Sequence, residues 1–322
     1  MFGTILVTLT CFAICLVLYV FNTYRRNLRI PEWNQHYVLV TGCDSGFGRL
    51  LAKQLDKAGV HVFAGCLNKK AELGLKQKCS KRLKPVSLDV TSGKSIAEAV
   101  EYITNTIPQG QGLGGVVNNA GIFPISAPLE WLTKEDYDRT FAVNLHGVIS
   151  VTTACLPLLR AGSGRVVTLS SDAALFAWPG GCAYNISKWG VEAFTDTFRR
   201  EFYNTDMSAH LVQPGAFQTS IVVPQIMAKQ FRDRFVSLPE YISKHYGSTF
   251  FNHWRQNILN LPDIQDTDLS KVTDAITHAL FAMYPHARYR VGNDCRFMWW
   301  PLSMAPVWFS DWLYSLPRTD LK

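Results

Sequence analysis

The chain has 322 residues, 48% of them hydrophobic and 18% charged, a composition that is typical of a globular protein and excludes an intrinsically disordered one. The formal net charge is +7, but the basic residues are scattered rather than clustered in a stripe, which argues against a nucleic-acid-binding protein. The eight cysteines and eight histidines show no metal-ligand spacing, so we predict no metal site.

The first predicted element is an apolar N-terminal segment. From Thr4 to Phe21 the chain carries no charged residue, and as a helix this run is about 27 Å long, close to the hydrocarbon thickness of a thin bilayer. Arg25, Arg26 and Arg29 follow it, whereas a cleaved signal peptide has its basic residues before the apolar run. We therefore predict an uncleaved transmembrane anchor over residues 1–30, in contact with membrane lipid, with the body of the protein on the cytosolic side.

Residues 31–292 alternate short apolar strands with amphipathic helices, the pattern of βαβ units in a parallel sheet. The predicted strands are Tyr37–Thr41, Val60–Ala64, Val86–Leu88, Gly115–Asn118, Arg165–Ser170, Ala209–Gln213 and Tyr289–Val291. The predicted helices include Phe47–Ala58, Ser95–Thr106, Lys134–Leu159 and Ala183–Tyr203. Seven strands with intervening helices predict an α/β fold with a Rossmann-type, doubly wound parallel sheet.

Two further segments stand apart from this alternation. Residues 220–261 lie between the last two predicted strands and contain two helix-like pieces rich in Phe, Tyr, Ile and Met. We expect them to cover the open end of the sheet and to bind a lipophilic small molecule. Residues 293–322 hold four of the nine tryptophans, which favours a membrane interface; a core-packing helix or a homodimer contact fits equally well.

A glycine-rich turn follows the first strand and opens a helix. It reads Thr41-Gly42-Cys43-Asp44-Ser45-Gly46-Phe47-Gly48. Glycines let the backbone turn tightly and approach a pyrophosphate, whose charge is stabilised at the N-terminus of the helix. The fourth predicted strand ends in Asn118-Asn119-Ala120-Gly121, at the carboxyl edge of the sheet where ligands bind in such folds. Both segments predict a dinucleotide site.

The reactive groups are predicted beside that edge. Tyr184 and Lys188 are four positions apart and so share one face of a helix. A tyrosine pKa near 10 is too high for proton abstraction at neutral pH, and a nearby cation lowers it. Ser171, just past the fifth strand, can reach the same edge and hold the reacting oxygen, while Asn144 is polar amid apolar neighbours and can fix a water.

From Tyr37 to Val291 the chain resembles the short-chain dehydrogenase family in the order and spacing of its motifs. These motifs are the TGxxxGxG turn, the NNAG segment, the serine, the YxxxK pair and the run from Pro214 to Thr219. The resemblance implies that Tyr184 is the general acid/base and that Lys188 lowers its pKa and binds the nicotinamide ribose. Ser171 would orient the substrate oxygen, and Asn144 would support a proton relay. The cofactor-binding residues that it implies are Gly42, Ser45, Gly46, Phe47, Gly48, Asp89, Val90, Asn118, Ala120, Gly121, Tyr184, Lys188, Pro214, Gly215, Phe217 and Thr219, with Asp89 on the adenine and Thr219 on the carboxamide.

The segments CDSGFG and YNISKWGVEAF resemble, more closely, the microsomal retinol and hydroxysteroid dehydrogenases. This implies NAD-dependent oxidation of a retinol or hydroxysteroid at the endoplasmic reticulum membrane. However, no acidic residue stands at Cys66-Leu67-Asn68, where a carboxylate that binds the ribose of NAD is expected, and Lys69 and Lys70 suit a 2′-phosphate. The alternatives are an NADP(H)-dependent carbonyl reductase and a non-catalytic, membrane-bound cofactor-binding protein.

Overall fold

A seven-stranded parallel sheet forms the centre of the protein in the computed structural model, which describes residues 2–315. The strands are β1 Tyr37–Val40, β2 His61–Cys66, β3 Leu83–Ser87, β4 Leu113–Asn118, β5 Arg165–Leu169, β6 Ser208–Pro214 and β7 Arg288–Val291. Their order across the sheet is β3-β2-β1-β4-β5-β6-β7. The order reverses between β1 and β4, so the predicted doubly wound fold is confirmed, and a ligand-binding crevice is expected at that point.

Helices cover both faces of the sheet. The α-helices are α1 Phe2–Asn27, α2 Gly46–Lys57, α3 Lys69–Lys78, α4 Gly93–Thr106, α5 Lys134–Phe141, α6 Gly147–Ala161, α7 Cys182–Glu201, α8 Pro224–Ser237, α9 Glu240–Leu259, α10 Ser270–Phe281, α11 Trp300–Ser303 and α12 Val307–Ser315. Leu51 and Leu55, one turn apart on α2, pack with Ile276 of α10 on one face. Ile103 of α4 and Val151 of α6 pack on the other face. Burial from both sides explains why β1 and β4 are nearly continuous apolar runs.

The segment predicted as one helix over Lys134–Leu159 is interrupted. A π-helical turn, Ala142–His146, separates α5 from α6. A wider turn of this kind inserts a residue into the helix and commonly accompanies functional sites. Here it places Asn144, which is buried, beside the loop that follows β4.

The segment between β6 and α10 forms a separate aromatic layer, which we call the cover and define as α8 and α9. The two helix-like pieces predicted from the sequence are present as these two helices. Trp131 stacks on Phe231 of α8 with ring centroids 5.1 Å apart, and Phe250 of α9 completes the cluster. Helix α9 bends at Gly247, whose φ is 68°, a value in the left-handed region that glycine adopts without strain.

The N-terminal segment reaches the body of the protein through its basic end. Arg26 donates a hydrogen bond to the carbonyl oxygen of Tyr284 over 3.0 Å, and the N–H of Ile30 donates to Phe281 over 2.9 Å. The transmembrane helix predicted at Thr4–Phe21 is not supported. Within residues 2–315, no helix combines the length and the hydropathy that crossing a bilayer requires.

The C-terminal segment folds back toward the carboxyl edge of the sheet. A π-helical turn, Cys295–Trp299, leads into α11, and Trp299 stacks on Phe176 with ring centroids 5.4 Å apart. Part of the predicted aromatic segment, residues 316–322, lies outside the described residues.

Candidate active site

The glycine-rich turn joins β1 to α2 through a close approach of backbones. Gly42 and Gly46 have φ values of 70° and 55°, which a residue with a side chain rarely adopts. At Gly48, a Cβ atom would lie 2.3 Å from the Asn119 side-chain nitrogen and 2.5 Å from the Gly42 carbonyl oxygen. The turn therefore requires glycine for steric reasons, and it leaves the N-terminus of α2 open to an anion.

Hydrogen bonds lock this turn to the end of β4. Thr41 Oγ1 accepts hydrogen bonds from the backbone N–H groups of Asn119, over 3.0 Å, and Ala120, over 2.9 Å. Asn119 Nδ2 in turn donates to the carbonyl oxygens of Thr41, over 2.7 Å, and Gly42, over 3.1 Å. Because four bonds join the ends of two neighbouring strands, the floor of the site is rigid.

Asn118 does not face this site. Its side chain donates to Thr152 Oγ1 of α6 over 2.8 Å and lies inside the core. Successive residues of a strand point to opposite faces, so Asn119 takes the position at the cavity that the sequence assigned to Asn118.

The predicted reactive residues meet at the carboxyl end of β5. Tyr184 and Lys188 lie one turn apart on α7, with the Lys188 ammonium 5.5 Å from the centroid of the tyrosine ring. Lys188 Nζ donates to the carbonyl oxygen of Leu169 over 2.9 Å. Ser171 follows β5 directly, and its hydroxyl donates to Asp172 Oδ1 over 2.7 Å.

The electrostatics of the pair differ from the sequence expectation. Burial raises the pKa of Tyr184, the nearby Asp172 carboxylate raises it further, and a hydrogen bond with Ser171 opposes both. Burial also lowers the pKa of Lys188 to about 8, against the opposing charge of Glu192. Lys188 is therefore mostly an ammonium ion at neutral pH.

Asp172 is a site residue that sequence reasoning missed. Burial raises the pKa of its carboxyl to about 7, with a further increase from the charge of Asp294 and a decrease from the Ser171 hydrogen bond. An acid directly after Ser171 was visible in the sequence, but only the fold shows that it is buried at the cavity wall.

These groups line one cavity of about 1210 Å³. The predicted residues on its wall are Gly42, Ser45, Gly46, Phe47, Asp89, Val90, Ala120, Gly121, Ser171, Tyr184, Lys188, Pro214, Gly215, Phe217 and Thr219. Gly48, Asn118 and Asn144 are not on the wall. Gly48 acts through the packing of α2. Asn144 Oδ1 accepts a hydrogen bond from the N–H of Ile122 over 2.8 Å, and Asn144 Nδ2 donates to the carbonyl oxygen of Ile122 over 2.9 Å and to Ser187 Oγ over 3.2 Å. Asn144 thus joins the loop after β4 to α7.

The residues present fit a nicotinamide dinucleotide. The open N-terminus of α2 suits the pyrophosphate, and the cavity extends from there to Tyr184 and Lys188 on one side and to Asp89 on the other. The Asp89 carboxylate accepts from the N–H of Thr91 over 2.9 Å and keeps further acceptor capacity. Ser220 Oγ donates to Ser45 Oγ over 2.5 Å, which joins the glycine-rich turn to the loop after β6.

The remaining wall of the cavity is apolar and aromatic. It is formed by Trp178, by Phe250 and Trp254 of the cover, and by Trp299 and Leu302 of the C-terminal segment. Trp254 is fixed by a hydrogen bond from its indole N–H to the carbonyl oxygen of Ser126, 3.2 Å away. A lipophilic molecule in contact with this wall would have its reacting end at Tyr184.

Comparison with known proteins agrees with this geometry. A family model described as short chain dehydrogenase matches residues 36–229. The chain is 39% identical over 300 residues to 17-beta-hydroxysteroid dehydrogenase type 6 of Rattus norvegicus, covering 93% of this chain and 94% of that protein. It is also 39% identical over 307 residues to Retinol dehydrogenase 16 of Homo sapiens, covering 94% and 96%.

Solved structures share the fold. A short chain dehydrogenase/reductase from Burkholderia phymatum in complex with NAD superposes with a TM-score of 0.63 at 20% identity, covering 78% of this chain and 87% of that one. A short chain dehydrogenase from Burkholderia cenocepacia in complex with NADP superposes with a TM-score of 0.61 at 21% identity, covering 82% and 91%. At these identities the superpositions show the shared fold, and one of the two structures holds NAD and the other NADP.

Proposed function

Because the chain belongs to the short chain dehydrogenase family and is an NAD(P)-dependent oxidoreductase acting on CH–OH groups, we propose that it oxidises a lipophilic alcohol with NAD. The alcohol is of the retinol or hydroxysteroid class, and the product is the aldehyde or ketone. The observation that carries the proposal is the convergence of Tyr184, Lys188 and Ser171 on a cavity that is also lined by the aromatic residues Trp178, Phe250 and Trp254.

Tyr184 receives the proton of the substrate hydroxyl. Its phenol lies on the cavity wall, and in the ionised form it acts as the general base. Bound NAD supplies the acceptor for the hydride that leaves the carbinol carbon. Because burial raises the pKa of Tyr184, the ionised phenol requires stabilisation by positive charge and hydrogen bonds inside the cavity.

Lys188 supplies that positive charge. With a pKa of about 8, its side chain remains cationic at neutral pH. The bond to Leu169 uses one of its three donors and fixes the ammonium beside the tyrosine ring. The other donors are free to bind hydroxyl groups, such as those of the nicotinamide ribose.

Ser171 orients the substrate oxygen. Its hydroxyl donates to Asp172 Oδ1 over 2.7 Å, and rotation of the hydroxyl toward the cavity lets it donate instead to the oxygen of the substrate. The proton of the alcohol is then left for Tyr184, while Asn144 positions the loop and α7 behind this pair.

The apolar wall supports a lipophilic substrate. Phe250, Trp254 and Trp299 present large ring surfaces to the cavity, and burying apolar area against them contributes about 25 cal/mol per Å². A small polar alcohol would leave most of this surface in contact with water, so long or polycyclic alcohols fit better.

A membrane location is part of the proposal. Leu9, Phe12 and Tyr19 of α1 are exposed, as are Trp308 and Trp312 of α12. We propose attachment to the cytosolic face of the endoplasmic reticulum membrane through these apolar side chains. Alkaline carbonate extraction of microsomes is the test: a spanning anchor keeps the protein in the pellet, a surface-bound helix releases part of it, and full release contradicts membrane anchoring.

Replacement of Tyr184 tests the catalytic assignment. The variant Tyr184→Phe keeps the ring and loses the proton acceptor, so kcat for retinol or hydroxysteroid oxidation should fall by about 100-fold or more, with unchanged affinity for NADH measured by fluorescence. Tyr203, exposed just beyond α7, is the matched control, and Tyr203→Phe should behave as wild type. If Tyr184→Phe turned over at the wild-type rate, the assignment would be wrong.

A further inference from the structure

The end of β2 has no acidic residue of its own, yet a carboxylate lies there. Asp44, from the glycine-rich turn, accepts hydrogen bonds from the backbone N–H of Leu67 to Oδ2 over 3.0 Å and of Asn68 to Oδ1 over 2.8 Å. In dinucleotide-binding folds, a carboxylate at the end of this strand binds the adenosine ribose hydroxyls. The side chain of Asp44 therefore reaches, from a different part of the sequence, the place where that carboxylate is expected.

The Asp44 carboxylate is available to a ligand. Asp44 and Leu67 both line the cavity that contains the glycine-rich turn. An ionised carboxylate has about four lone-pair positions, and each oxygen of Asp44 uses one on a backbone N–H. Each oxygen therefore keeps an acceptor position, and two adjacent acceptors match the two hydroxyls of a ribose diol.

We propose that Asp44 is the residue that selects NAD over NADP, by accepting hydrogen bonds from the adenosine ribose diol and repelling a 2′-phosphate. The inference rests on the proposed use of NAD and adds the group responsible for it. A carboxylate can only accept hydrogen bonds, and a phosphate offers it no donor while adding like charge, which costs affinity at close range.

Two cations near Asp44, Arg49 and Lys69, are held by acceptors of the protein. Arg49 Nη1 donates to the backbone carbonyl oxygen of Asp44 over 3.2 Å, and Lys69 Nζ lies 2.7 Å from Glu72 Oε2. These two cations are thus bound to protein acceptors. Removing the negative charge of Asp44 would remove the repulsion that a 2′-phosphate meets at the end of β2.

The variants separate charge from shape. Asp44→Asn keeps the size of the side chain and one acceptor for the backbone N–H groups, and Asp44→Ser provides a second, smaller replacement. Glu98, an exposed carboxylate of α4 paired with Lys94 over 3.8 Å, supplies the control Glu98→Gln, which removes one negative charge away from the cavity. The double variant Asp44→Asn with Leu67→Asp returns a carboxylate to the end of β2 at an exposed position.

Two readouts are used on the full-length enzyme. The first is calorimetric binding of adenosine 5′-monophosphate and of adenosine 2′,5′-bisphosphate, which differ only in the 2′-phosphate and need no catalysis. The second is the ratio of kcat/KM with NAD to that with NADP. Because both ligands are compared within one variant, a loss of folded protein cancels from each ratio.

The wild type and Glu98→Gln should prefer the monophosphate and NAD. In Asp44→Asn and Asp44→Ser, both ratios should shift toward the 2′-phosphorylated ligand by on the order of 10- to 100-fold, and the double variant should restore preference for NAD. If the wild type prefers NAD and the Asp44 variants keep its ratios, or weaken both ligands equally, the inference is overturned while the proposed function stands. A wild type that prefers NADP overturns both the inference and the choice of NAD.

Discussion

The two halves of the cavity are built by different physical means. The cofactor half is formed by backbone: Gly42 and Gly48 allow the turn to touch the end of β4, and four hydrogen bonds through Thr41 and Asn119 fix the contact. The substrate half is formed by side chains, with Phe250 and Trp254 of the cover and Trp299 of the C-terminal segment on its wall. An atom added to the backbone contacts of the first half forces the backbone to move, whereas a changed side chain in the second half alters only the shape of the wall.

The largest difference between the halves is expected for an added methyl group in the glycine-rich turn. In Gly48→Ala the new Cβ would overlap the Gly42 carbonyl oxygen, 2.5 Å away, and the backbone must shift. We expect a loss of stability of about 1–3 kcal/mol and a fall in kcat/KM for NAD of about 100-fold, because the turn no longer aligns the pyrophosphate.

Gly93 is the control for that variant. It also begins a helix, α4, but an added Cβ there meets nothing within 4 Å, so Gly93→Ala should leave stability and kcat/KM unchanged or slightly improved. Thermal denaturation and steady-state kinetics measure both. If Gly48→Ala matched Gly93→Ala, the proposed rigidity of the cofactor half would be wrong.

A smaller effect on stability is expected at Lys188, a buried charge on the cavity wall. Burial lowers the pKa of Lys188 from an ordinary 10.5 to about 8, which corresponds to a destabilisation of about 3 kcal/mol at neutral pH. Replacing it in Lys188→Met removes this cost but leaves the Leu169 carbonyl oxygen without its donor, at about 1–2 kcal/mol. The variant should be inactive and about 1–2 kcal/mol more stable than wild type at pH 7.

The pH dependence of the free energy of unfolding tests the direction of this pKa shift. Between pH 8 and 10.5 the unfolded chain holds the lysine proton and the folded enzyme has released it, so the wild type gains stability as pH rises through this window. The advantage of Lys188→Met should therefore shrink above pH 8, reverse between about pH 9 and 10, and stay reversed above pH 10.5, measured by urea unfolding. An advantage that is constant from pH 7 to 10.5 would contradict a buried ammonium at this position.

The smallest effect is expected in the cover. Phe250 is buried on the cavity wall, and Phe250→Leu reshapes the wall while keeping it apolar. The KM for the lipophilic alcohol should rise by about tenfold, a change of about 1.4 kcal/mol, with no change in affinity for NADH. Val236, exposed on α8, is the control, and Val236→Ala should be neutral. Equal loss of NADH binding in Phe250→Leu would show that the two halves are coupled.

This contrast explains what the sequence could predict. The seven strands, the glycine-rich turn and the positions of Tyr184, Lys188 and Ser171 follow from local pattern, because periodicity and backbone geometry determine them. The choice between Asn118 and Asn119 needed the exact strand register, since neighbouring positions face opposite sides. The π-helical turn at Asn144 likewise leaves no periodic signal.

Long-range contacts account for the rest. Asp44 and Leu67 are far apart in the sequence, and only the fold brings the carboxylate to the end of β2. Asp172 stands beside Ser171, but its burial and the nearby charge of Asp294 both depend on the fold. The shape of the aromatic wall depends on side chains from the cover and the C-terminal segment together.

Transfer of deuterium from substrate to cofactor tests the central claim most directly. The purified enzyme would be incubated with NAD and either a retinol with both carbinol hydrogens replaced by deuterium or a hydroxysteroid with its single carbinol hydrogen replaced, and the reduced cofactor would be analysed by mass spectrometry. We expect one deuterium per molecule of reduced cofactor in the wild type and a rate at least about 100-fold lower in Tyr184→Phe. Reduced cofactor without deuterium, or equal rates in both proteins, would contradict hydride transfer through this site.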